Sequence, residues 1–139
     1  MPMTFTAPFA QNPKSLSVAV TAALGGLGTD AITGAQLLVT AGANGAIVSS
    51  ISAMPRGTVT ASSLVLFLVK SATSAIYRPI DSVLMPAYTL ATTTAIPVTA
   101  FALISDATPL RLEAGDKLYV GSQVALAAGI VFTGRWMDY

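Results

Sequence analysis

Leu110 to Gly121 reads LRLEAGDKLYVG, with Ala114-Gly115 standing between two short alternating runs. Leu110 and Leu112 alternate with Arg111 and Glu113, and Leu118 and Val120 alternate with Lys117 and Tyr119. Side chains of a strand point to opposite faces in turn, so each run suits a strand with one buried face. The glycine permits the backbone to reverse where a Cβ would obstruct it. The stretch therefore predicts two strands joined as a hairpin. Glu113 and Asp116 then face water at its tip, or Asp116 caps amides of the turn.

The same period extends along the chain. Ser15–Leu24 places Leu16, Val18 and Val20 on one face, and Gly25–Gly34 follows as a loop. Gln36–Ser52 carries Asn44-Gly45 between two apolar runs, the strongest short-range hairpin signal. Ser62–Lys70, SSLVLFLVK, is dense enough in apolar residues to be buried on both faces. Ser71–Ser74 turns the chain. Pro79 makes Ala75–Pro86 an edge strand or a broken one. Tyr88–Ser105 reads as strand interrupted near Ile96-Pro97, and Gly129–Tyr139 as the final strand. Thr and Val abound where Leu, Glu and Lys would favour helix. The pattern predicts an all-β domain of about eight antiparallel strands, a jelly roll or other β-sandwich. It spans residues 15–139. Pro2, Pro8 and Pro13 make residues 1–14 an extended N-terminal arm.

Composition narrows the function. The chain has 139 residues, seven basic and six acidic side chains, no histidine and no cysteine. Thiolate chemistry and cysteine-based metal sites are excluded, and the usual proton carrier near neutral pH is missing. Ser and Thr are plentiful, but a triad without His has no base. Nothing marks Lys14, Lys70 or Lys117 as the buried partner of a Ser–Lys pair. Glu113 and Asp116 flank a turn, and Asp30, Asp81, Asp106 and Asp138 fall in separate segments. No catalytic residue, metal ligand or cofactor site is expected. Gly25, Gly26 and Gly28 lack the lysine of a phosphate loop.

Charged residues make up 9% of the chain, against about 25% in ordinary globular domains, and no basic stripe suits nucleic acid. The densest apolar run, Leu64–Val69, stops at Lys70, short of the roughly 18–20 residues of a membrane-spanning helix. Residues 1–13 have no basic segment followed by an apolar one, so no secretory leader is expected. A hydrophobic content of 53% with so little charge points to a surface covered by other subunits. Candidate contact residues are Phe5 and Phe9 in the arm and Arg135, Trp136 and Tyr139 at the end of the chain.

LRLEAGDKLYVG resembles the late hairpin of tumour-necrosis-factor and C1q jelly rolls. Over most of the chain after Gly34, TAGANGAIVSSI, SLVLFLVK, LRLEAGDKLYV, AAGI and the terminal DY resemble small bacteriophage and prophage virion proteins. That resemblance implies a homotrimer on the particle, either decorating the capsid or in tail-associated structures. The function expected is that of a capsid decoration or cement protein bound to the major capsid protein and made in the host cytoplasm. The alternatives are a tail-associated receptor-binding or fibre module, and an apolar-ligand-binding β-barrel.

Overall fold

Nine strands are laid out in two sheets in the computed structural model, which describes residues 11–139. In chain order they are β1 (Asn12–Val20), β2 (Gln36–Thr40), β3 (Ala46–Pro55), β4 (Ser62–Val69), β5 (Arg78–Met85), β6 (Thr99–Ala100), β7 (Leu110–Leu112), β8 (Lys117–Ser122) and β9 (Ile130–Asp138). The first sheet runs β1-β9-β3-β6, with β7 also on β3. The second runs β2-β8-β4-β5. Every strand pairing is antiparallel. The one helical element among the described residues is a single 3-10 turn, Ser71–Thr73. The expected all-β sandwich is observed.

Alternation builds the core. In β9, Ile130, Phe132 and Trp136 are buried while Arg135 and Met137 are exposed. Leu38, Leu64, Leu66, Leu118 and Val120 meet them from the second sheet. Each such side chain contributes about 1.5–3 kcal/mol by leaving water. β4 is central in its sheet and buried on both sides, as its sequence predicts. On its outer face Phe67 lies under Tyr77, whose ring stands edge-on to Tyr119 at 4.9 Å. The Tyr77 N–H donates to Asp30 in the Gly25–Gly34 loop, and Leu24 packs over Gly121. β5 is an edge strand with a register shift beside Pro79, again as expected.

Neither predicted hairpin forms. β2 pairs with β8 and β3 with β9, so Asn44-Gly45 carries the chain from one sheet to the other. Likewise β7 pairs with β3 while β8 pairs with β2 and β4, so LRLEAGDKLYVG crosses between sheets too. The glycine signals are sound locally: Gly45 has φ 89° and Gly115 φ 76°. A reversal with positive φ does not specify whether its flanks hydrogen-bond or stack face to face. Apolar side chains on both flanks, burying against each other, decide for stacking. The two crossings touch, because a Cβ on Gly45 would lie 2.5 Å from the Leu112 carbonyl oxygen.

Two other segments differ from expectation. Tyr88–Ser105 contains only the short strand β6; Thr92 and Thr93 form a turn, and Phe101 and Ile104 fill the core from loops. Phe101 stacks on Phe132 with ring centroids 6.4 Å apart. At the N-terminal side, β1 begins at Asn12, so Asn12, Pro13 and Lys14 belong to the sheet rather than to an arm.

Gly45→Ala is expected to lose about 1–3 kcal/mol of stability, through an unfavourable φ and a clash with backbone. Gly28→Ala, with open space around the added carbon, is expected to stay within about 0.5 kcal/mol. Urea unfolding of the pair checks both.

Candidate functional site

The charged residues at the crossings are the chain's best chemical candidates. Asp116 is only 2% exposed, whereas the Glu113 side chain is 82% exposed. The expectation that both face water holds for Glu113 and fails for Asp116. Lys70, at the end of β4, donates to Asp116 Oδ2 at 2.6 Å and reaches Glu113 Oε2 at 3.2 Å. The Ser71 N–H donates to Asp116 Oδ1, and the Glu113 N–H to Oδ2. Every oxygen of the buried carboxylate is thereby used. The capping half of the prediction is correct, and Lys70 is the ion-pair partner that spacing along the chain did not reveal.

Asp138 makes a second brace. Its Oδ1 accepts from the Gly42 N–H at 3.2 Å, and its Oδ2 pairs with Lys14 at 2.7 Å. The Ala41 N–H donates to the Asp116 carbonyl oxygen at 2.9 Å. Both buried acids therefore hold the crossing between β2 and β3. Their hydrogen bonds are committed to backbone and lysine, which suits bracing rather than turnover. Among the described residues no three acidic side chains gather in a group that could hold a metal ion.

The predicted contact residues do not form one patch. Trp136 lies in the core, and its indole N–H has no acceptor among the described residues. Arg135 points to the opposite face of β9, as alternation along a strand requires. Tyr139 is partly exposed, and its N–H donates to the Gly45 carbonyl. Phe5 and Phe9 lie outside the described residues.

The outer face of the first sheet is where Arg135 belongs. A groove of about 620 Å³ there is lined by Ser52, Met54, Val98, Val131, Thr133 and Arg135, among others. A second, of about 340 Å³, continues from Arg135 towards Pro13, Ser15 and Met137. Met54 and Val98 are 40% and 58% exposed, and among the described residues Arg135 is the one charged side chain lining the larger groove. Alternation in β9 could have indicated this face, since Val131, Thr133, Arg135 and Met137 share one parity. What it could not indicate is that Met54 and Val98 lie beside them. No protein-family model, curated protein or solved structure matches the chain.

Burial pushes the Asp116 carboxyl up, but the Lys70 hydrogen bond and the Ser71 and Glu113 amides outweigh it and hold the group below its ordinary range. The hydrogen bond to Asp116 raises Lys70 despite partial desolvation. A carboxyl with a depressed folded pKa stabilises the fold above its unfolded value, near 4, and that stability is lost as pH falls through the lower folded value. A raised lysine stabilises below its unfolded value, near 10.4, and that is lost as pH rises through the higher folded one. Acid unfolding curves should therefore steepen below about pH 4. Asp116→Ala should remove that steepening and cost about 2–4 kcal/mol, since two backbone donors lose their acceptor. Glu113→Gln should change stability by no more than about 0.5 kcal/mol.

Proposed function

We propose that this chain is a non-enzymatic structural protein of a bacteriophage particle, a head decoration protein that binds coat subunits through the outer face of its first sheet. The observation that carries this reading is that face itself. It is a broad surface lined mainly by Met, Val, Ile, Ala, Ser and Thr, with Arg135 common to both grooves and Lys14, paired with Asp138, at the rim of the smaller one. Interfaces are poor in charge at their centres and enriched in Met and Arg, and this face has that composition. The sparse charge of the whole chain supports the same reading, as does the commitment of both buried carboxylates to bracing. A partner suited to this face is apolar, with a carboxylate placed to meet Arg135.

Among the described residues the sandwich core is filled by side chains, including Leu38, Phe101 and Phe132, and both sheets are open at their edges. That arrangement favours a particle component over a barrel enclosing an apolar ligand.

The test uses purified phage particles from cells that express the chain. Cryo-electron microscopy is expected to place it on the head, with the Arg135 face against coat protein. Arg135→Glu combined with Met54→Asp should weaken co-sedimentation with particles at least ~10-fold, a loss of about 1.4 kcal/mol, and leave thermal stability nearly unchanged. Particles without the chain, or undiminished binding by the double variant, would overturn the proposal.

A further inference from the structure

The four sheet edges differ in how they are protected. Exposed edges invite pairing with another chain, and proteins blunt them with bulges, prolines, charges or short strands. β5 carries Arg78, Pro79, Asp81 and a register shift. β2 has five residues and a register shift at Leu37/Val39. At the far side of the first sheet, β6 has two residues and β7 three. β1 is different. It pairs with β9 through nine residues in unbroken register, and no described strand lies on its other side. Its one charge, Lys14, is engaged by Asp138.

The direction of its free backbone groups follows from hydrogen bonds at the two ends of β9. The Tyr139 N–H donates to Gly45, and the Arg56 N–H donates to the Gly129 carbonyl. Odd-numbered residues of β9 therefore face β3, and even-numbered ones face β1. The register joins even to even, Lys14 to Trp136 and Leu16 to Gly134. Ser15, Ser17 and Ala19 are left with N–H and C=O groups pointing away from the sheet. Pro13 falls in that outward set, where its missing N–H breaks no bond to β9.

We infer that the β1 edge is a self-association site, which joins a second copy of this chain by antiparallel β1–β1 pairing about a two-fold axis at Ser17. The sequence is complementary to itself in that register. Ser17 faces its own copy, and Ser15 faces Ala19, so about six backbone hydrogen bonds close between small side chains. On the other side of the strand, Leu16 meets Val18 of the second copy, twice by symmetry. That contact covers Leu16, which is 45% exposed in the single chain. Lys14 falls opposite Val20, which separates the two lysines by about 20 Å, beyond the Debye length of roughly 8 Å at physiological salt. The contact is isologous and joins copies in pairs. It does not depend on a role in a phage particle, and it is distinct from the threefold closure that the family resemblance implies.

Sedimentation velocity of the full chain is expected to show a dimer of twice 14.1 kDa at tens to hundreds of micromolar. Because the chain has no cysteine, Ser17→Cys offers a single thiol on the axis. That chain should cross-link to dimers with a short bis-thiol reagent, and a Thr60→Cys control should not. Ser17→Pro removes an outward N–H and should weaken dimerisation at least ~10-fold, or about 1.4 kcal/mol, without loss of β-sheet circular dichroism. Leu16→Lys should do the same and leaves the backbone untouched. A monomer at every concentration, a trimer, or a dimer indifferent to Leu16→Lys and not cross-linked through position 17 would overturn the inference.

Discussion

Two chain crossings meet at one end of the sandwich, and the closeness of their backbones constrains everything around them. Gly45 has no room for a Cβ against the Leu112 carbonyl oxygen. The segment from β2 to β3 is held there by a buried acid on either side. Asp116 offers its backbone carbonyl to Ala41, and Asp138 its carboxylate to Gly42. The same two acids fix Lys70 at the end of β4 and Lys14 in β1. A crossing of this kind leaves backbone donors without strand partners inside the protein, where an unmet donor costs about 1–3 kcal/mol. Carboxylates supply acceptors strong enough to bury them, and each carboxylate is also paired with a lysine.

The strands themselves are largely legible in the sequence, because burial on one face imposes period two. β9 is read directly from IVFTGRWMD, and β4 from a run too apolar to have a wet side. The pairing is not legible. Asn44-Gly45 and Ala114-Gly115 announce tight reversals, yet the choice between a hairpin and a sheet-to-sheet crossing depends on strands far away in the chain. Thr92–Thr94 and Pro97 sit in a segment whose β-branched content suggests strand, but turns and loops deliver Phe101 and Ile104 to the core instead. Asp116, beside a glycine turn, reads equally well as a capping residue or a wet one. Its burial rests on Lys70, which is far from it in sequence and close only once β4 and β8 pair.

The surface follows from the same distribution of charge. With so few charged side chains, and several spent on the braces, the outer face of the first sheet is left with Arg135 amid small and apolar groups. The β1 edge is left with serines and an alanine. The candidate residues Arg135 and Trp136 illustrate the division, adjacent in sequence and on opposite faces of one strand. Alternation alone is enough to separate them. The neighbours from β3 and beside β6 that make the outer face a groove depend instead on the sheet order, which alternation within a strand does not encode.

Native-state hydrogen exchange tests the central claim, that the braced crossings hold the two sheets as one cooperative unit. If they do, the amides of Ala41, Gly42, Ser71 and Glu113 will exchange only through the global opening, with the same free energy as amides of β4 and β9. If those four amides exchange through local opening, orders of magnitude faster than a protected core, the crossings are dispensable loops and the account is wrong.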